Sequence, residues 1–326
     1  MVATFKLEAN EKDITEFIKE NFISLEYDDK EGVESDEMSF CVHGIFSRPS
    51  FKDTLKLSLG YRVGEEDKLY ECGTFSISEC TIDYINHITE VRATAVNFSS
   101  PIKIKRNKTF ANTTLAAIAG VIASRNNLIA KIQPEANNVK IAHIMQNNES
   151  DIEFLYILAY KNGFICAVKN SHLIVTQKSK SIDGYNVSSG SHKSSPAKNL
   201  PKFKLQVSDC SSLSITENNR VKYDACEISS HNTSNATLTK IKVGNGENIA
   251  KIDAPPNKSS QELESLATSK LSELNKGGIK GNLTCVGQQI VAGGVLELEG
   301  IGVYSIKSVK HTLSGTSYTL DIEFEA

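Results

Sequence analysis

The sequence predicts a mainly β, α+β protein with β-rich ends and helical material between them. Three observations predict it. Apolar and polar residues alternate over short runs near both ends, the period of half-buried antiparallel strands. Between about residue 112 and residue 275 the period changes three times to that of a helix, each time behind a residue able to cap one. A strand pattern of the N-terminal part also returns near the C-terminus.

Taken in order, Asp13 and Glu16 stand at the spacing of a variant capping box ahead of Ile14, Phe17 and Ile18, which predicts a short amphipathic helix. Ile23, Leu25 and Tyr27 share one parity; so do Met38, Phe40 and Val42, and then Leu55, Leu57, Leu59 and Tyr61. These are three strands. "DDKEGVESDE", Asp28 to Glu37, reads as a solvated acidic turn between the first two. Lys30 at a ligand position, and no suitably spaced bidentate glutamate, speak against a calcium loop.

Leu115, Ile118, Ala119 and Ile122 form the first helical stripe, over about 112–124, with Asn112 or Thr113 as N-cap. Ser150 and Glu153 then form the S-x-x-E capping box of a helix over about 150–162. Ile152, Leu155 and Ala159 line one side of it, Phe154 and Leu158 widen that side, and Gly163 supplies the left-handed stop. "FICAV" and "HLIVT" follow as two strands around a turn at Asn170-Ser171. Residues 179–202, rich in Ser, Lys and Gly, read as a flexible linker. "RVKYDACEI" and "ATLTKIKV" are β-like. Ser259 and Glu262 repeat the capping-box spacing ahead of Leu263, Leu266, Ala267, Leu271 and Leu274, a helix over about 260–275 that ends at Gly277. Strands resume from about Leu283.

The echo joins "GTFSIS" at Gly73 to "GVYSIK" at Gly302. Gly73 and Phe75 correspond to Gly302 and Tyr304. Each copy follows a short strand, "LKLSLGY" or "GVLELEG", and leads through a polar connector to a final alternating strand, "ITEVRATAV" or "YTLDIEFEA".

At 326 residues the chain has room for two or three domains. A net charge of −3 argues against a strongly basic nucleic-acid footprint. The N-terminus lacks the layout of a secretory signal, and "LAAIAGVIA" has about half the length needed to cross a bilayer, so no membrane anchor is expected. Seven cysteines without a CxxC pair read as reduced thiols packed in cores. The seven histidines never fall at HxH, HxxxH or HExxH spacing, and no nucleotide-binding or nucleophile-elbow motif occurs. "KIKRNK", from Lys103, reads as a solvated strand edge, and His311 as a structural or surface residue. No catalytic residue, cofactor or metal is expected.

Three blocks resemble the phage late control gene D proteins, which are baseplate hubs of contractile tails related to the hub portion of type VI secretion spikes. The first is "LKLSLGY…ECGTFSISEC". The second is "RNKTFANTTLAAIAGVIASRNNL…QNNESDIEFLYILAYKNGFICAV", in which Gln146, Glu149, Ser150, Asp151, Phe154, Leu155, Ala159 and Gly163 stand on the family pattern. The third is the C-terminal block from Ser259, with Gly287, Gly294, Gly300, Tyr304, Val309 and His311 on matching positions.

The resemblance implies two tail-tube-like β-barrel domains and an inserted α+β domain. Residues 1–105 form the first barrel, 106–178 with 253–278 the α+β domain, and 179–252 with 279–326 the second barrel. It implies a homotrimeric ring in the virion tail baseplate, assembled in the host cytoplasm, that joins a six-fold tail tube to a three-fold spike carried on a separate polypeptide. Its partners would be itself, the spike, the tube protein and other baseplate proteins, with tape-measure protein or DNA passing through a polar or acidic lumen. Two other readings, a tail-associated cell-wall hydrolase and a carbohydrate-binding β-protein, find less in the residues; the second is weakened by the absence of Trp.

Overall fold

Alternating side chains give a strand one face for a core, and such strands must pair to satisfy their backbone groups. A computed structural model, described for residues 2–31, 35–50, 53–95, 101–169, 172–177, 201–218, 222–233, 236–254, 256, 260–275 and 278–326, places most of these runs in one large sheet. The N-terminal lobe contains β1 (Val2–Ala9), β2 (Lys12–Asp13), α1 (Thr15–Glu20), β3 (Phe22–Lys30), β4 (Glu37–His43), β5 (Thr54–Val63), β6 (Glu66–Asp83) and β7 (Ile88–Thr94).

A middle module follows, made of β8 (Lys105–Thr114), α2 (Leu115–Arg125), β9 (Ile129–Ile132), β10 (Lys140–Ser150), α3 (Asp151–Lys161), β11 (Phe164–Lys169) and β12 (His172–Gln177). The C-terminal lobe begins with β13 (Lys202–Leu205) and β14 (Cys210–Glu217). It is interrupted by β15 (Ala225–Asn232), β16 (Thr237–Gly244), β17 (Ile249–Asp253) and α4 (Ser260–Asn275). It is completed by β18 (Ile279–Val286), β19 (Val295–Leu298), β20 (Gly302–Ser314) and β21 (Ser317–Glu325).

The two lobes are continuous. Across the sheet the order is β14-β18-β21-β20-β3-β4-β7-β6-β5-β1-β2, with β19 on β20 and β13 on β19. The join is the antiparallel pairing of β20 with β3, Ser308 opposite Lys30 through Ser314 opposite Ser24. One core fills both lobes: Leu7, Leu25, Phe40, Leu57 and Phe75 share it with Leu283, Leu296, Ile306, Leu320 and Phe324. The two barrels expected from the resemblance are therefore halves of a single sheet and a single core.

The registers of the halves correspond residue by residue. Leu57 faces Gly73 and Leu55 faces Phe75, as Leu298 faces Gly302 and Leu296 faces Tyr304. Ile77 pairs with Ala93 just before a register shift, and Ile306 pairs with Phe324 just before another. Phe40 lies between Leu25 and Val91 across its two neighbouring strands, as Leu283 lies between Leu213 and Ile322. The path β3-β4-β7-β6-β5 thus matches β14-β18-β21-β20-β19. Where the first half connects β3 to β4 through residues 31–36, the second inserts residues 218–278.

That insertion has its own sheet, β16-β15-β17, covered by α4. Cys226, Ile228 and Ala250 pack on Leu263 and Ala267. This moves two expected boundaries. Residues 225–252 leave the second lobe, and α4 leaves the core of α2 and α3. Alternation marks a strand but not the sheet it joins, so the boundary was not readable from it.

In the middle module α2 and α3 pack against the sheet β11-β12-β9 and the ribbon β8-β10. Phe154, Leu155, Leu158 and Ala159 are buried, and Ile152 is half-buried at the margin. The Ser150 hydroxyl accepts from the Glu153 amide at 3.2 Å, and Gly163, at φ 78°, follows the Asn162 C-cap. Ser150→Ala is expected to cost about 1 kcal/mol, read as a lowered urea midpoint with an unchanged slope.

Two other caps differ from expectation. The N-cap of α2 is Thr114, whose side chain accepts from Ala117, because β8 stays paired with β10 as far as Thr114 opposite Lys140. The N-cap of α1 is Ile14; Asp13 accepts from the Thr15 amide, and Glu16 pairs with Lys19 instead of closing a box. Asp28, Asp29 and Lys30 belong to β3, which shortens the acidic turn. The Asn170-Ser171 turn, residues 179–200, Ser259 and Gly277 lie outside the described residues.

Candidate functional site

Two buried polar centres hold the molecule's elements in place, and of the residues singled out in the sequence Gln146, Glu149, Ser150, Asp151 and His311 lie at them. The first lies where β10 becomes α3. The strand shifts register between Asn147 and Glu149, with Asn148 at φ 54° and its amide donating to Asn107 Oδ1 at 2.7 Å. Gln146 spans this bulge: its Nε2 donates to the Glu149 carbonyl at 3.0 Å and to Asp151 Oδ1 at 3.0 Å.

Asp151, the first residue of α3, is fully buried. It also accepts from Arg125 Nη1 at 3.0 Å and from Asn126 Nδ2 at 2.9 Å, while Arg106 Nε stands 3.7 Å away. One carboxylate at a helix N-terminus, where the backbone dipoles favour negative charge, thereby ties β8, β10, α2 and α3 together. The spacing of Gln146, Glu149, Ser150 and Asp151 is that of a strand turned into a helix across one bulge.

The second centre is at the seam of the lobes. His311 of β20 is buried, with Tyr27 of β3 stacked on it at 5.2 Å between centroids. Its Nδ1 lies 2.8 Å from the Tyr318 hydroxyl and 3.1 Å from that of Tyr70; the two hydroxyls are 2.5 Å apart. Such a triangle is satisfied when Tyr70 donates to Tyr318 and Tyr318 donates to Nδ1, which places the imidazole proton on Nε2. Burial pushes the imidazole pKa down to about 4, against a smaller opposing pull from Asp29. Tyr27, Tyr70 and Tyr318 are held neutral, their phenols raised above the ordinary range chiefly by burial.

Further ties cross the seam. Tyr61 donates to the Gly287 carbonyl at 2.7 Å, the Ala292 amide to Asp29 at 2.7 Å, and Lys307 pairs with Glu31 at 3.1 Å. Gly287 has no room for a side chain, since a Cβ there would stand 2.1 Å from the Tyr318 ring.

The remaining motif residues are framework. Gly73 and Gly302 face leucines across the ladder, and Phe75 and Tyr304 lie in the shared core. Gly300 makes the turn between β19 and β20 at φ 77°, and a Cβ on Gly294 would meet the Phe203 ring at 2.7 Å. Arg106, Arg125, Asn126, Tyr27, Tyr70 and Tyr318 also belong to these centres, and no motif marks them in the sequence. Arg106 lies inside the run read as a solvated edge, yet its side chain turns toward Asp151. Among the described residues no group of three or more His, Cys, Asp or Glu side chains could hold a metal ion, and no helix is long and apolar enough to cross a membrane.

A continuous two-lobed sheet with an inserted α+β module is the fold of solved phage tail proteins. It superposes on the 43 kDa tail protein of prophage MuSo2 from Shewanella oneidensis over 98% of this chain and 96% of that one, with a TM-score of 0.65 at 12% identity. The tail protein of Neisseria meningitidis MC58 matches 100% of this chain and 97% of its own, at 0.68 and 10%. The c3393 protein of E. coli, a component of the type VI secretion system, matches 93% and 73%, at 0.52 and 10%.

Residues 53–314 match the family described as the Alg8 N-terminal domain, and the chain belongs to that family. Among curated proteins it is similar to two named "Probable baseplate hub protein". That of Escherichia phage 186 is 29% identical over 177 residues, 53% of this chain and 45% of the relative. That of Escherichia phage P2 is 30% identical over 173 residues, 52% and 44%. The chain thus spans less than half the length of either curated relative.

Proposed function

We propose that the protein is a structural hub of a contractile phage or phage-like tail baseplate. Three copies close a ring that meets the tail tube on one side and a three-fold spike on the other. The observation that carries this reading is the register match between the two halves. Three copies of a chain with two equivalent lobes offer six quasi-equivalent positions around a channel, enough to face a six-fold tube while the whole ring keeps three-fold symmetry. The names of the curated relatives and the tail-protein fold support it.

In this reading the polar centres are joints. The His311 seam fixes the angle between lobes, and the Asp151 centre holds the middle module together as one rigid unit. The two inserted modules touch through Tyr160, which donates to Glu273 while Lys270 stands 4.5 Å over its ring. Such a hub needs no turnover, works in the virion baseplate, and lets DNA or tape-measure protein pass.

Size-exclusion chromatography with light scattering tests this reading. A trimer is the expected result, or a monomer that becomes a trimer when the spike protein is added. A stable dimer overturns it.

A further inference from the structure

The geometry points to a latent disulfide site at Cys210 and Cys285, a cross-strand dithiol that closes on oxidation by a small-molecule disulfide and staples the edge strand of the sheet. The inference does not depend on the hub reading. It begins with β14, the outermost strand in the order, held through its pairing with β18. Exposed Ser211, Ser212 and Ser214 mark it as a sheet margin.

Cys210 and Cys285 are direct partners in this antiparallel pair. Opposed residues in such a ladder have Cα atoms about 4.5–5.5 Å apart, inside the span of about 4.4–6.8 Å that a disulfide bridges. The thiols also share a face. Cys285 lies in the common core, and Cys210 packs against the same core beside Leu213 and Ile215. The register shift between Cys210 and Ser212 makes this possible, because one extra residue returns Cys210 to the inner face.

The other five cysteines have no such counterpart. Cys41 faces Glu90 and Ser24, Cys80 faces Val91, Cys166 faces Val175, and Cys226 faces Val243 and Ala250. Cys72 sits in the register shift between Leu57 and Ser58 and has no opposed residue.

Position gives the pair its consequence. Residues 218–278, the module of β15–β17 and α4, leave the sheet at the end of β14 and return at the start of β18. The Cys210–Cys285 pair closes the other end of this ladder, seven residues along β14 from Glu217, where Glu217 faces Ile279 at the base of the module, so the bond pins the start of the edge strand. Local opening of an edge strand needs little free energy, and a covalent tie to its neighbour raises that requirement.

With glutathione disulfide as oxidant the chemistry balances. The Cys210 thiolate, on the half-buried side chain, attacks one sulfur of the oxidant and expels a glutathione thiolate. The Cys285 thiolate then attacks Cys210 Sγ, forming the protein disulfide and expelling the second glutathione. Two protein thiols lose two protons and two electrons, and the oxidant becomes two thiols. Burial pushes Cys285 up to about 11 and raises Cys210 as well, with help from Asp209, so closure is slow near neutrality and speeds up as pH rises.

The test is to treat the full chain with glutathione disulfide at mildly alkaline pH, alkylate the remaining thiols, map the peptides by mass, and measure amide exchange before and after. The expected result is one Cys210–Cys285 cross-link, five alkylated cysteines, faster closure at higher pH and slower exchange in β14. Cys210→Ser abolishes the cross-link and the added protection. Cys285→Ala leaves Cys210 as a stable glutathione mixed disulfide in protein that remains folded by circular dichroism. Failure of the pair to link in unmodified protein overturns the site, as does linkage between other cysteines. A cross-link that leaves exchange in β14 unchanged overturns the staple.

Discussion

Replacing Asp151 with Asn is expected to destabilise the middle module by about 3 kcal/mol, the low end of the range for breaking a buried charge pair. The substitution keeps the side chain's shape but removes its charge and one of its two acceptor oxygens. Gln146 Nε2, Asn126 Nδ2 and Arg125 Nη1 now converge on those oxygens, and an amide returns a donor to one of them. Donors left inside without an acceptor cost their desolvation in full, and a buried guanidinium without its counter-charge costs more. The low end applies because Arg125 and Arg106 keep 21% and 33% of their side-chain surface exposed, so water takes up part of the lost interaction. Amide exchange in α2 and α3, compared between variant and parent, reads this locally. A change confined to the first turn of α3 would show that Asp151 only caps its own helix.

A comparable effect is expected from pH at the seam. The His311 pKa is about 4 in the folded protein, and in an unfolded chain it returns to about 6.5. The group is a base held neutral, so its contribution is complete above pH 6.5. As pH falls from there toward 4, the unfolded chain takes up a proton that the folded one refuses, and the contribution is lost. The displacement corresponds to about 3 kcal/mol. Carboxylates also titrate in this range, so the informative quantity is a difference. The drop in urea midpoint between pH 7 and pH 4.5 should be larger in the parent than in His311→Gln. Tyrosine fluorescence reports it without interference, since the chain has no Trp. Equal drops would mean that the imidazole takes up its proton as readily in the folded protein as in the unfolded chain, with Tyr70 and Tyr318 arranged otherwise.

What the sequence made legible was mostly local. Ser150, Glu153 and Gly163 announced α3 because capping and left-handed stops are settled within one turn. Met38, Phe40 and Val42 announced a buried face because parity is a property of the strand itself. Partner choice is not local. "RVKYDACEI" alternates well enough for either lobe, and only Leu263 and Ala267 on α4 draw Cys226 and Ile228 into a separate core. The α2 cap was misplaced for the same reason: Thr113 and Thr114 remain strand because Ile141 and Lys140 pair with them.

The functional centres divide in the same way. Gln146 and Asp151 are legible only through the resemblance to the late control gene D proteins, and their charged partners are distant in the chain. Arg125 precedes two asparagines at a helix end and Arg106 sits among lysines, and neither place marks an inward-facing side chain. His311 was assigned a structural or surface role. Its burial and its tyrosine partners come from β3, β6 and β21, which only the folded sheet brings together. The echo between Gly73 and Gly302 was visible as a few identities, and its weight comes from the shared register and the paired shifts after Ile77 and Ile306.

The most direct test of equivalent lobes in a ring is electron cryomicroscopy of the purified protein, alone and with added spike protein, averaged first without imposed symmetry. The expected result is a closed ring of three subunits around a channel, nearly six-fold at low resolution and strictly three-fold where the inserted modules project. A ring in which the two lobes take unrelated positions around the axis, or an assembly without a central channel, would contradict it.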